Sequence, residues 1–214
     1  EARLARLLER LDAAGRPEQL IINGDLKHSF APLSRREERE AAAFLEFAAG
    51  QFAQISLLRG NHDKNIGAFA GQPLRVQDSL KQEGLLILHG DRLPSPAELE
   101  GAETILIGHE HPAVGLRSGG GRSEAYKAFL LGEYQDRSWR STASRSSMQD
   151  RSWPSRRLLV QPSFNLLVRG SDLVRERALS PLIAEERLTS FRAYPVSDGG
   201  EIYPLGPLGS LLRP

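Results

Sequence analysis

Four short apolar runs in this chain each stop at a polar, glycine-containing loop, and that repetition constrains the fold more than any other feature. Leu20-Ile21-Ile22 runs into Asn23-Gly24-Asp25, and Ile55 to Leu58 into Arg59-Gly60-Asn61-His62-Asp63. Leu85 to Leu88 leads into His89-Gly90-Asp91, and Thr104 to Ile107 into Gly108-His109-Glu110-His111-Pro112. Apolar runs of this length, bounded by turn residues, read as buried strands. In α/β proteins ligands gather outside the carboxyl ends of strands, so loops far apart in sequence can serve one site.

Helical patterns stand between and before these runs. Leu4, Leu7, Leu8 and Leu11 share one face over residues 1–14, and Gly15 and Pro17 end that helix. Ser34 followed three residues later by Glu37 has the form of a capping box, opening a helix that carries Ala42, Phe44, Leu45 and Ala48 and stops near Gly50. Beyond residue 112 the pattern becomes more β-like. Ala128–Leu131, Leu158–Val160 and Phe164–Val168 read as strands. Phe191–Val196 and Glu201–Pro204 read as a terminal hairpin around Ser197-Asp198-Gly199-Gly200.

Composition narrows the class. With 214 residues, 40% of them hydrophobic, a sizeable core can be buried. No apolar run reaches the roughly 18 residues of a membrane span. Glu1 to Arg10 is charged and helical in pattern, unlike a secretory signal. Cysteine is absent, which excludes a disulfide scaffold and thiolate metal sites. Together these features predict a cytoplasmic protein. The net charge of +1 supplies no global basic field that would point to nucleic acid.

Residues 135–157 stand apart, rich in Ser and Arg and holding both tryptophans. Gln135-Asp136-Arg137-Ser138-Trp139 recurs as Gln149-Asp150-Arg151-Ser152-Trp153. The expectation is a flexible, solvated insertion between two strands of a single domain spanning 1–214. The alternative is a loop whose arginines touch phosphates and whose tryptophans stack on bases.

The chain has five histidines: His28, His62, His89, His109 and His111. All fall in or beside the strand-end loops. A lone histidine is ordinarily a surface or satisfied core residue, but five of five beside Asp25, Asn61 and Asp63 is not explained that way. Imidazole nitrogen, carboxylate oxygen and amide oxygen suit manganese, iron, zinc or cobalt rather than calcium or magnesium alone. A carboxylate has two oxygens, so Asp25 can bridge two ions. Two ions about 3.5–4 Å apart can clamp the attacking and leaving oxygens of an in-line displacement at phosphorus. His109 and His111 are separated by one residue, which on an extended segment puts both rings on the same side.

Gly24-Asp25, Gly60-Asn61-His62-Asp63, His89-Gly90-Asp91 and Gly108-His109-Glu110-His111, in this order, resemble the motifs of the calcineurin-like metallophosphoesterase superfamily. Gly24-Asp25-Leu26-Lys27-His28-Ser29, Gln161-Pro162-Ser163-Phe164-Asn165 and Ser180-Pro181-Leu182 resemble a small prokaryotic branch related to DNA-repair nucleases. The resemblance implies an α/β fold: a two-sheet β-sandwich flanked by helices, in four layers. It also implies two divalent transition-metal ions, manganese foremost with iron, zinc, cobalt or nickel as alternatives, with Asp25 bridging them, Asn61, His89 and His109 completing one site and His111 serving the other. His62 is then the general acid, with Asp63 holding its tautomer and raising its pKa. His28 and Arg59 are candidate substrate contacts. The implied substrates are phosphoesters, foremost phosphodiesters of nucleotides or nucleic acid. A non-catalytic metal- or nucleotide-binding member and a small-molecule phosphatase are the rival readings.

The family opens with an Asp-x-His motif at the end of a first strand, ligating the same metal as His111. No Asp-x-His precedes Asp25 here. The expectation is that this strand and its motif belong upstream of Glu1, with a naturally degenerate member as the alternative. The duplicated pentapeptide carries a prediction of its own. Deleting Gln149–Trp153 should shift folding stability by no more than about 0.5 kcal/mol in a urea titration, as surface changes do. A larger loss would put the tryptophans in the core.

Overall fold

A computed structural model describes residues 1–11, 15–27, 34–63, 74–117, 123–135 and 155–211. The architecture is mixed α/β, with two sheets and four α-helices among the described residues. The chain divides into two compact units, Glu1–Leu80 and Lys81–Pro214. Residues 136–154, the greater part of the duplicated segment, lie outside the described residues, as does His28.

The first unit opens with α1 (Ala2–Leu11), which buries Leu4 and Leu8. Leu7 and Leu11 remain 38% and 43% exposed, so the buried stripe is narrower than the four-leucine pattern. Strands β1 (Gln19–Asn23), β2 (Gln54–Leu58) and β3 (Leu74–Gln77) form a parallel sheet in that order, with Ile21 opposite Ser56 and Ile55 opposite Leu74. Helix α2 (Arg35–Ala49) is the crossover between β1 and β2 that parallel pairing requires. Its capping box is formed: Glu37 N–H donates to Ser34 Oγ at 3.2 Å, and Ser34 N–H donates to Glu37 Oε2 at 3.0 Å. Gly50 ends it, as the sequence implied. Leu45 and Ala48 from this helix pack with Leu4, Leu8, Phe52, Ile55 and Leu57 into one apolar cluster.

The second unit holds the larger sheet, except for that sheet's first two residues, Ser79 and Leu80. Strands β4 (Ser79–Gln82) and β5 (Leu85–Leu88) flank the turn Glu83-Gly84, where both residues have positive φ as a tight two-residue hairpin turn requires. After the single-turn helix α3 (Pro96–Leu99), β6 (Thr104–Ile107) runs parallel to β5. Strands β7 (Pro112–Arg117), β8 (Ser123–Gln135), β9 (Ser155–Val160) and β10 (Ser171–Asp172) complete the path β10-β7-β8-β9-β6-β5-β4. The short helix α4 (Glu185–Leu188) precedes β11 (Arg192–Pro195), which pairs with β8 and with β12 (Gly206–Pro207). Leu86, Leu88, Ile105, Ile107, Leu130, Leu158 and Phe191 anchor its core.

One expected strand is absent. Phe164–Val168 forms a turn in which Ser163 and Asn165 bond the backbone instead of leaving it to a ladder. Asn165 N–H donates to Ser163 Oγ at 3.2 Å, and Leu167 N–H donates to Asn165 Oδ1 at 3.0 Å. The Lys127 ammonium fixes the turn by donating to the Ser163 and Asn165 carbonyls. The terminal hairpin is present through the Val196–Ile202 bridge and the Ser197–Gly200 turn. No helix among the described residues is long and apolar enough to cross a membrane.

The capping box gives a stability prediction. Ser34→Ala should cost about 1 kcal/mol in urea unfolding, whereas Ser34→Asp, which keeps an acceptor, should stay close to the parent.

Candidate metal centre

Within the first unit, β1 and β2 are parallel with Asn23 opposite Leu58, so the chain leaves both strands at the same edge. Gly24 and Asp25 both take positive φ, 79° and 52°, and turn the chain sharply out of β1. A short polar side chain tolerates that conformation better than most. Two hydrogen bonds then join the two loops, and a third closes the second loop on itself. Asp25 N–H and Gly60 N–H donate to Asp63 Oδ2 at 2.7 and 3.0 Å, and His62 N–H donates to Asp25 Oδ1 at 3.2 Å.

Asp63 is only 1% exposed. Burial pushes its carboxyl above the ordinary range, against the opposing pull of the Gly60, Asp25 and Lys27 backbone N–H groups. Its Oδ2 therefore acts as a loop clamp, a task not anticipated beside that of orienting His62. His62 and Asn61 are half-buried on the same turn. Arg59, a candidate phosphate contact, is ion-paired with Asp78 at 2.7 Å on the exposed surface.

Within the second unit, the loop ends of β5 and β6 are joined through one carbonyl. Gly108 N–H and His109 N–H both donate to His89 O at 2.8 Å. This brings the His109 Nδ1 and His89 Nε2 atoms to 3.2 Å, with the rings 68° apart in an edge arrangement. His89 is buried and His109 half-buried. The segment carrying His111 is not extended, so the same-side argument from strand geometry does not apply. His111 N–H closes a turn onto Gly108 O at 3.2 Å, and His111 has φ 47°.

The donor set of the second unit fits a transition metal. Metal–nitrogen bonds of about 2.1 Å at angles between roughly 90° and 109° place two ligand nitrogens about 3.0–3.4 Å apart, and 3.2 Å is observed.

Two residues that the motif reading passed over hold these loops. Glu110, the central residue of Gly-His-x-His, is fully buried and its Oε2 accepts Leu179 N–H at 2.7 Å and Ser180 N–H at 2.9 Å. Burial raises its carboxyl pKa, against the two N–H donors. Ser180 in turn donates its hydroxyl to Gly90 O at 2.7 Å. The signal for both was available: a charged residue enclosed by the histidines, and the Ser180-Pro181-Leu182 stretch.

Gly60 must stay a glycine on steric grounds. A Cβ there would stand 2.7 Å from the Asp25 nitrogen and closer still to Asp25 Oδ1. Gly60→Ala should destabilise the chain by about 1–3 kcal/mol in urea, as overpacking does. Gly50→Ala, whose new carbon meets nothing nearer than 3.5 Å, should change stability by no more than about 0.5 kcal/mol.

Comparisons with known proteins give the family and the fold. The family model described as calcineurin-like phosphoesterase matches residues 1–170. Among solved structures, the crystal structure of Pseudomonas putida nuclease MPE aligns with a TM-score of 0.56 at 22% identity, covering 95% of this chain and 78% of that one. That likeness shows the fold. No curated protein matches the sequence. With most of its length matched and its strand-end loops in the family's order, the chain belongs to the calcineurin-like phosphoesterase family.

Proposed function

We propose that this chain is a metal-dependent phosphodiesterase that hydrolyses nucleotide or nucleic-acid diesters in the cytoplasm. The observation that carries the reading is the pair of imidazole nitrogens, His89 Nε2 and His109 Nδ1, held 3.2 Å apart at the ends of adjacent parallel strands. On the family's motif order, Asp25 would join them as a ligand of one ion and Asn61 would complete that site. Asp25 and His111 would hold a second ion. Two divalent ions, manganese foremost, supply Lewis-acid activation of water and neutralise charge on the phosphoryl oxygens.

The chain's own residues do the rest. His62 hands a proton to the leaving oxygen as the ester P–O bond breaks, and water supplies the new P–O bond. Asp63 keeps His62 on station by fixing the turn that carries it, through Gly60 N–H. His28 and Arg59 contact the substrate, with Arg59 leaving Asp78 when a phosphate arrives. The preference for diesters rests on the resemblance of the Gly24–Ser29 stretch to nuclease relatives.

Manganese binding and leaving-group dependence test the reading together. Equilibrium dialysis should find one ion held tightly and a second more weakly, since this sequence gives the first site four side chains and the second only Asp25 and His111. His89→Ala and His109→Ala should abolish the tight ion. His62→Ala should keep the metal and lower dinucleotide turnover by about 10²–10⁴, with a smaller loss on a nitrophenyl diester that needs less protonation. Metal uptake without hydrolysis of any diester would replace the enzyme with a binding module. Faster turnover of aryl monoesters than of diesters would make it a phosphatase.

A further inference from the structure

The segment from Gly170 to Ser180 grips both histidine-bearing loops of the second unit. At its start, Ser171 N–H donates to His111 O at 3.0 Å, and β10 continues the contact by pairing with β7. Gly170 makes this approach possible, since a Cβ there would run into the His111 carbonyl oxygen. At its end, Leu179 and Ser180 N–H groups converge on Glu110 Oε2, while the Ser180 hydroxyl reaches Gly90 O. Ser180 is thus one hydrogen bond from the residue between His109 and His111, and one from the residue after His89. Positions 171–180 lie beyond the residues that the family model matches.

A fully buried carboxylate that accepts two backbone N–H groups is a costly way to fasten a loop unless position matters. Gly90 adds to the constraint. Its φ is 103°, and a Cβ on it would stand 2.8 Å from Ile107 Cβ, so the loop after His89 sits against β6 with no slack. The rings of His89 and His109 therefore have their backbones fixed from two sides: by the shared His89 carbonyl, and by Glu110 and Ser180.

We propose that Glu110 and Ser180 are positioning residues that set the spacing of the His89 and His109 imidazoles, and with it metal affinity. The metal part rests on the function proposed above; the spacing part does not. Partners of this kind, one bond behind the ligands, typically change metal affinity by about 10–100-fold when removed.

The test uses the full chain with Glu110→Gln, Glu110→Ala, Ser180→Ala and His89→Ala, and two readouts. The first is manganese affinity from the electron paramagnetic resonance signal of the free ion, recorded well below each melting temperature. Glu110→Gln keeps an acceptor for both N–H groups and should bind within about threefold of the parent, whereas Glu110→Ala should bind about 10–100-fold more weakly. Ser180→Ala should weaken binding by a smaller factor, and it carries the test if Glu110→Ala does not fold. The second is the imidazole nitrogen shifts of His89 and His109 in metal-free protein. These should move in Glu110→Ala and Ser180→Ala and stay in place in Glu110→Gln. Unchanged affinity and unchanged shifts in both truncations would overturn the proposal, whatever happens to the melting temperature. If the parent takes up no manganese, or His89→Ala takes up as much as the parent, the proposed function falls, and the metal-free shifts still decide whether Glu110 and Ser180 set the ring spacing.

Discussion

A loop that leaves a strand end must find acceptors for its backbone N–H groups, and in this chain buried carboxylates supply them. Asp63 takes the N–H groups of Asp25 and Gly60. Glu110 takes those of Leu179 and Ser180, and Asp172 those of Gly115 and Val174. Each joins segments distant in sequence, by as many as 70 residues in the case of Glu110. A buried carboxylate without such donors would be strongly penalised, and a buried N–H without an acceptor nearly as much. The two requirements cancel only when both are met at once. That mutual dependence helps the first loop hold unusual backbone, such as the left-handed Asp25, whose N–H meets Asp63.

Much of this was legible in the sequence where local chemistry decides the outcome. The runs at 20–22, 55–58, 85–88 and 104–107 are strands because buried apolar residues between turn residues leave few other options. Ser34 and Glu37 announced α2 because a capping box is a local device. Where the partner is remote, the pattern fell short. Strand β7 contains Gly115, whose role is to admit the Asp172 carboxylate from another part of the chain. Phe164–Val168 has the composition of a strand, yet Asn165 and Ser163 bond the backbone there, and Lys127 arrives from β8 to complete the turn.

The candidate site divides along the same line. The resemblance to the family's motifs implied His89 and His109 as neighbours, and the structure sets their nitrogens 3.2 Å apart. Sequence spacing could not give the conformation at His111, because a turn closed by Gly108 looks like an extended dipeptide until its hydrogen bond is seen. Nor could it separate the two tasks open to Asp63. A carboxylate next to a histidine suggests a proton relay, while its Oδ2 holds backbone amides on both sides of the site's first loop.

Gln135 and Ser155 are direct partners across β8 and β9. Whatever lies between them is therefore closed by a ladder that the rest of the sheet already pays to form. The entropy cost of joining two fixed ends rises only with the logarithm of the number of residues joined, so doubling the connection adds about 0.6 kcal/mol. By that scaling, lengthening the connection at this point would cost the fold little. A tandem copying event there would escape purging by selection on stability, and the repeated Gln-Asp-Arg-Ser-Trp is the kind of trace such tolerance leaves behind. The connection between β8 and β9 is thus a point where added sequence, and any contacts it brings, would cost the core little.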